Sequence, residues 1–254
     1  MTLIQSHKQD TLRENLKAIV VNLDVLTEKD KQYIKENLVQ IAKGEKSKYS
    51  SKVIAKKLKA MLDKQTLDNK HGLTAEFFQA VILRNQNFEQ KYSYNNLEEN
   101  SAKKGFDGVF TLSGEIWLLE SKSSYKQSSH NNKHKVTIDR AYKGVTELIS
   151  GKTSNDPWEN AVNHLNNSSS NESLMERLIN LSEDYTNGQY QRVEDSNLII
   201  GSNVIHTDIS QIETNLSQVK LYLSKHCAKK ELVVLLNFTS FSIFLDFLGE
   251  LADE

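Results

Sequence analysis

Two strand-like runs, residues 106–112 and 115–122, are separated by only two residues, Ser113 and Gly114. Runs rich in Phe, Val, Ile and Leu on both sides of so short a connection predict an antiparallel β-hairpin. Gly114 supports the positive φ that two-residue hairpin turns require. This local feature constrains the fold more tightly than any other part of the chain, because it fixes which residues face each other.

The register of the hairpin follows from its turn. Leu112 lies opposite Glu115, so Asp107 lies opposite Glu120, and alternation places Lys122 on the same face as Glu120. Facing carboxylates destabilise a hairpin, and burying them is costly unless a cation neutralises them. The pattern therefore predicts a site for Mg²⁺ or Mn²⁺, with Lys122 placed to orient or deprotonate water or to stabilise the charge that develops on a phosphate.

A Glu-x-Lys pattern alone is a weak signal, because ordinary residue usage produces about one in a chain of this size. A second copy at residues 89–91 has no aspartate on a facing strand and ranks lower. The alternative for Glu120 and Lys122 is a salt bridge on an exposed face. The apolar residues 117–119 beside them favour a central, buried strand.

The order of predicted elements indicates an α/β fold with a mixed β-sheet flanked by helices. We expect Thr27 to cap the first helix and Thr74 to cap the helix that opens the core. The predicted strands are residues 14–24, 88–94, 106–112, 115–122, 197–205 and 231–238, and the predicted helices are residues 27–43, 51–65, 73–85, 137–150, two within 158–185, 213–226 and a short closing helix.

Two regions are predicted along the chain. Residues 1–70 form a mostly helical N-terminal extension packed on the core. Residues 71–254 form the core domain, with a helical insertion at about 156–187. A polar loop is expected at residues 123–134, where His130 and His134 have i, i+4 spacing. Zinc binding needs more ligands than these two, so a flexible loop is the preferred interpretation.

Cysteine content, apolar runs and net charge limit where the protein is expected to act and what it is expected to bind. The single cysteine, Cys227, excludes an internal disulfide and a cysteine-based zinc cluster. Neither a signal peptide nor a membrane-spanning run is evident, which predicts a cytoplasmic protein without membrane contact. The net charge of −1 argues against a free-standing, tight DNA binder. Residues 43–70 and 122–143 are nevertheless rich in basic side chains, which are either solvated helix faces or phosphate contacts.

The segments GFDGVF and EIWLLESKS resemble motifs of the PD-(D/E)xK nuclease superfamily. The resemblance implies a restriction-endonuclease-like core with helical additions. It implies Asp107 and Glu120 as metal ligands, the carbonyl of Ser121 as a further ligand and Lys122 as the catalytic lysine. Many members add an acid from the helix before the first core strand, and Glu76 occupies that place here. The alternative for Glu76 is an ordinary exposed helix residue.

Residues 70–240 are also similar to the HamA family, the nuclease subunits of the Hachiman antiphage defence system. The similarity rests on the helix bearing Glu76, on KGFDGVF, on ESKSS and on NLIIGSNVI. It implies a DNA nuclease that works with a helicase-type, HamB-like partner and needs no small-molecule cofactor. Ser121, at the variable position of Glu-x-Lys, is less informative than an apolar residue would be.

Four basic residues are the candidates for contacts with nucleic-acid phosphates: Lys126, Lys135, Arg140 and Lys143. The alternative is that Asp139 or Glu147 pairs with those on the helix. Two other functions stay open for the whole chain. One is a non-catalytic interaction subunit on a nuclease-like scaffold, and the other is a restriction or repair endonuclease of the same fold.

Overall fold

A seven-stranded mixed β-sheet runs through the protein, with helices on both faces. The computed structural model describes residue 3 and residues 8–94, 105–125, 132–210 and 212–254. The strands are β1 (Lys8–Arg13), β2 (Leu16–Leu23), β3 (Glu89–Gln90), β4 (Gly108–Leu112), β5 (Glu115–Ser124), β6 (Asn197–Ile205) and β7 (Lys230–Phe238). The helices are α1 (Glu28–Lys43), α2 (Ser51–Asp63), α3 (Leu67–Asn85), α4 (Lys133–Ile149), α5 (Pro157–Ser168), α6 (Glu172–Thr186), α7 (Leu216–Tyr222) and α8 (Ser242–Asp253).

The predicted α/β class and the mixed sheet are confirmed. The strand order is β1-β2-β7-β6-β5-β4-β3. The four central strands β2, β7, β6 and β5 are parallel, while β1, β4 and β3 join by antiparallel pairing. Because connections of parallel strands cross over one face, helices cover both sides.

The N-terminal segment differs in one respect from an extension packed on the core. Its strand β2 pairs in parallel with β7 along its whole length, so it belongs to the central sheet. The strand β1, which the sequence did not predict, covers the outer edge of β2. The division at residue 70 stays a prediction. The two helices α5 and α6 occupy the region predicted as a helical insertion.

Each face of the sheet has its own apolar core. Helices α1, α2, α3 and α8 pack on one face, around a group of aromatic rings that includes Phe77, Phe78 and Phe244. Helices α4, α5, α6 and α7 pack on the other. Alternation along β5 divides its side chains between the two cores, with Trp117 and Leu119 on the α3 side and Leu118 on the α4 side. No helix in the described ranges is long and apolar enough to cross a bilayer.

The N-caps of helices α1 and α3 test the two predicted capping residues, Thr27 and Thr74. Thr27 caps α1 as predicted, and with Asp30 it forms a capping box. The predicted cap of the core helix was wrong. The helix α3 begins at Leu67, where the Thr66 side chain accepts a hydrogen bond from the backbone of Asn69. Thr74 lies fully buried inside the helix. The helix thus begins almost two turns before its first buried residue, Thr74, so the start of the buried stripe did not mark the start of the helix.

The predicted strand at residues 88–94 is only partly correct. Strand pairing with β4 covers Glu89 and Gln90, and the Lys91 amide adds one hydrogen bond to the carbonyl of Val109. The chain then turns away, because the Tyr94 amide donates to the carbonyl of Ile41 at the end of α1 and its ring packs on Phe77. A tertiary contact therefore overrides the strand pattern.

The hairpin turn adopts the geometry that the two-residue connection predicts. Ser113 has φ 52° and Gly114 has φ 78°, so both residues occupy the left-handed region of a type I′ turn. The pairs run from Leu112 opposite Glu115 to Gly108 opposite Leu119. The predicted register is confirmed.

Ser113 is the strained member of this turn, since a serine at positive φ carries a steric cost that asparagine carries less. We expect Ser113→Asn to stabilise the protein by about 0.5 kcal/mol and Gly114→Ala to destabilise it by about 1 kcal/mol. Urea unfolding with an unchanged m-value measures both changes. A Ser113→Asn protein that is no more stable than the wild type would contradict this description of the turn.

Candidate active site

The hairpin brings the two predicted carboxylates together. Asp107 immediately precedes β4, and Glu120 lies on β5 one position beyond the last ladder pair, Gly108 with Leu119. One oxygen of Asp107 (Oδ2) accepts a hydrogen bond from the backbone N–H of Ser121 at 2.8 Å. The aspartate therefore continues the strand pairing with its side chain, and this contact holds its carboxylate beside Glu120.

Glu120 is buried, with 6% of its surface exposed. It points to the α4 side of the sheet, where a Cβ on Gly144 would come within 3.0 Å of its Oε1. Because residue 144 is a glycine without a Cβ, α4 does not crowd the Glu120 carboxylate. Among the described residues, none donates a hydrogen bond to its second oxygen, Oε2. Burial, and then the charge of Asp107, raise the pKa of Glu120 to about 7.

Lys122 neutralises this carboxylate in part. Its Nζ lies 2.5 Å from Oε1 of Glu120 and 3.2 Å from the carbonyl oxygen of Ser121. Burial lowers the pKa of Lys122, but the charges of Glu120 and Asp107 outweigh it and raise the pKa above its ordinary value of 10.5. The side chain is therefore an ammonium ion at neutral pH, with 30% of its surface still open to solvent.

Glu76 reaches the same region from α3. It lines a small cavity together with Asp107 and Tyr94. Its charge is the weakest of the influences that raise the pKa of Glu120. The structure thus brings Glu76 into the electrostatic neighbourhood of the two other acids, while its role as a ligand stays a prediction.

The residues at this site fit a divalent cation that takes oxygen ligands. The unpaired Oε2 of Glu120 and the raised pKa of that carboxyl are both relieved by a nearby cation. The available donors are carboxylates and the Ser121 carbonyl, which suit Mg²⁺ or Mn²⁺. Within the described ranges no three His, Cys, Asp or Glu side chains form a ready-made metal cluster. Water would complete the coordination, as Mg²⁺ usually requires.

A buried polar network behind the site was not found from the sequence. Asn203 of β6 donates to the hydroxyl of Ser121 at 2.7 Å and to the carbonyl of Lys122 at 3.3 Å. Gln79 of α3 donates in turn to Asn203 at 2.7 Å. Both amides are fully buried. Because Gln79 lies one helical turn after Glu76, the network holds the face of α3 that carries Glu76 against the strand that carries Glu120 and its neighbours.

The sequence feature that could have indicated this network is a polar residue inside an otherwise apolar segment. Asn203 stands inside the apolar run of β6, and Gln79 stands between Phe78 and Ala80 in α3. Buried amides are retained where they find partners, so such positions indicate a polar contact. The sequence alone does not indicate which partner.

His134 corrects the prediction of a flexible loop at residues 123–134. It lies in the first turn of α4, where Nδ1 contacts the Ser202 hydroxyl at 2.7 Å and Nε2 contacts the Asn237 side-chain oxygen at 3.0 Å. An amide oxygen only accepts, so Nε2 carries the proton and Nδ1 accepts from Ser202. The ring ties α4 to β6 and β7. His130 lies outside the described residues.

The predicted phosphate contacts are less favourable than expected. Lys126 lies outside the described residues. Lys135 pairs with Asp139 at 2.6 Å, and Lys143 lies 3.7 Å from Glu147. In each pair the two residues are one helical turn apart and exposed. They are the intrahelical ion pairs that the sequence analysis gave as the alternative to phosphate contacts. Arg140 is exposed on α4. Their binding of nucleic acid stays a prediction.

The raised pKa of Glu120 predicts a pH-dependent effect of Glu120→Gln on stability. A carboxyl whose pKa rises on folding stabilises the folded state below about pH 4.5 and loses that contribution as pH rises to about 7. In metal-free buffer we therefore expect Glu120→Gln to gain about 3 kcal/mol relative to the wild type between about pH 4.5 and pH 7.5. Urea unfolding at both ends of this range measures the gain. A difference that does not change with pH would contradict it.

The environment of His134 predicts a neutral ring. Burial lowers its pKa from 6.5 to about 4, so it contributes stability above about pH 6.5 that is lost as pH falls towards 4. Nitrogen-15 NMR at about pH 5.5 should show a neutral imidazole with the proton on Nε2, while an exposed histidine is mostly charged there. A His134 that titrates near pH 6.5 would refute the described contacts.

One family model matches the chain. It is described as HamA, and it covers residues 4–254. Among curated proteins and among solved structures, none matches. A match over nearly the whole length shows the family, and it extends beyond the residues that carried the resemblance in the sequence. The chain belongs to the HamA family and is, at that level, a Hachiman-type defence protein.

Proposed function

We propose that this protein is a metal-dependent nuclease that hydrolyses DNA phosphodiester bonds, as the effector subunit of an antiphage defence complex with a helicase-type partner. The observation that carries the proposal is the buried Glu120 beside Asp107, with Lys122 bound to it. Such a group is costly to the folded state, and a functional role explains its presence. Membership of the HamA family supports the defence context.

The chain's own residues divide the work as follows. Asp107 and Glu120, with the carbonyl of Ser121, would hold Mg²⁺ or Mn²⁺, and Glu76 is a candidate for a further ligand. The cation would polarise a phosphodiester and lower the pKa of water. Lys122 has a raised pKa, so it acts as a hydrogen-bond donor and a positive charge towards the scissile phosphate rather than as a base.

The residues behind the site keep these groups in place. Asp107 is oriented by the Ser121 amide, and the strand that carries Lys122 is fixed by Asn203. Gly144 allows α4 to pack closely on Glu120, which contributes to the burial of its carboxylate. Low solvent access strengthens every charge interaction at the site.

A plasmid-degradation assay with Mg²⁺ tests the proposal, with and without the helicase-type partner. We expect Lys122→Ala and Glu120→Gln to lower the cleavage rate at least about 100-fold, because each removes a charge from the reacting centre. EDTA should abolish cleavage by the wild type.

The second Glu-x-Lys copy provides a matched control. Glu89 pairs with Lys91 at 2.9 Å, and its side chain is 67% exposed. The pKa of Glu89 is lowered, mainly by its hydrogen bond from Lys91, so this carboxylate already has its counter-ion. Glu89→Gln should cleave DNA like the wild type. Wild-type cleavage rates in Lys122→Ala or Glu120→Gln would refute the assignment.

A non-catalytic interaction subunit is the second candidate. It is favoured by the Lys122 ammonium, which already contacts both Glu120 and the Ser121 carbonyl, two of the groups that a metal would use. In that case no divalent cation raises the melting temperature, and no condition with the partner yields cleavage. A restriction or repair endonuclease would instead reveal itself by a discrete, sequence-specific cleavage pattern.

A further inference from the structure

The outer face of α2 concentrates positive charge. Residues 46–64 hold seven lysines and one aspartate, so they carry +6, and the remainder of the chain carries −7. The buried stripe of α2 is Ile54, Ala55, Leu58 and Leu62. The opposite stripe, at helical spacing, is exposed and includes Val53, Lys56, Lys57, Ala60 and Lys64. We call Lys48, Lys52, Lys56, Lys57 and Lys64, with Tyr49 and Val53, the α2 basic face.

No acid that the structure describes neutralises the lysines of the α2 basic face. In the described part of the chain, none of the five forms an ion pair within 4 Å, whereas Lys59 pairs with Asp63 and Lys135 and Lys143 pair within α4. The Lys57 ammonium lies 4.3 Å from the ring centre of Tyr49, which is 53% exposed. This face is therefore both more strongly charged and more available than the basic residues of α4.

The α2 basic face is separate from the candidate active site. The helix packs on the sheet face that is covered by α1, α3 and α8, with its lysines directed outward. Glu120 points to the opposite face, towards α4. A ligand bound to the α2 basic face therefore does not occupy the space around Asp107 and Glu120.

We propose that the α2 basic face binds the phosphate backbone of nucleic acid as a site of its own, outside the catalytic centre. Lysine is depleted in protein–protein interfaces, so five lysines whose one nearby acid on α2, Asp63, pairs with Lys59 suit a regular polyanion better than a protein partner. Lys52 and Lys56 are spaced about 6 Å along the helix axis, which allows both to reach one nucleic-acid backbone. The exposed Tyr49, just before α2 and beside Lys57, offers a ring on which a base can stack. The acidic remainder of the chain repels a polyanion and directs it to this helix.

The inference does not depend on cleavage, so its test is made in EDTA. The variant Lys48→Gln, Lys56→Gln, Lys57→Gln, Lys64→Gln removes four exposed charges and keeps good helix formers on α2. The matched control Lys17→Gln, Lys152→Gln, Lys220→Gln, Lys225→Gln removes four exposed charges from other parts of the chain that have no assigned role. Both variants have the same net charge, and a melting curve verifies that each is folded.

Binding is measured by fluorescence anisotropy with a labelled duplex of about 30 base pairs, at about 50 to 200 mM salt. We expect the α2 variant to bind at least about tenfold more weakly at the lowest salt, with a slope of log K against log salt that is less steep by about 3. The control should change the slope by less than about 1.

Three results would overturn the proposal. They are equal weakening by both variants, an unchanged affinity of the α2 variant, and no binding by the wild type at the lowest salt. An α2 variant that binds the duplex normally but no longer binds the helicase-type partner would assign this face to a protein instead. If DNA binding follows the prediction while the wild type never cleaves, the nuclease proposal fails and the α2 site stands.

Discussion

The burial of Glu120 is the constraint on which the rest of the site depends. A carboxylate that is almost inaccessible and has Asp107 beside it is costly in a folded protein. Lys122 offsets part of this cost, and no residue that the structure describes donates a hydrogen bond to the second carboxylate oxygen. The buried carboxylate of Glu120 therefore lowers the stability of the folded state, and a bound divalent cation would remove that destabilisation.

The surrounding elements hold Asp107 and Glu120 in these positions. The type I′ turn fixes the register that sets Asp107 beside Glu120. The Gln79–Asn203 network links α3 to the far side of the same strand. The hydrogen bonds that Gln79 and Asn203 donate in the buried interior favour one arrangement of the packed elements. Strand, helix and turn thus position the same few atoms.

Charge is distributed unevenly between the two faces of the molecule. Glu120 lies on the face of the sheet that α4 covers, and the lysines of α2 lie on the outside of the helices that cover the other face. The net charge of −1 is therefore the sum of a basic segment, residues 46–64 with +6, and a remainder with −7. In this arrangement the centre that would hold a cation and the surface that we assign to a polyanion act without competing for the same ligand.

The hairpin register, the α/β class and the position of the carboxylates followed from the sequence, because a two-residue turn and the period of a strand are local properties. The α2 lysine face was visible in the sequence, but the absence of acidic partners in the described ranges was not. The contacts of His134, the partner of Asn203 and the pairing of β2 with β7 were decided by the tertiary structure. These join residues that are far apart along the chain, and their geometry depends on how whole helices pack on the sheet, which local pattern does not encode.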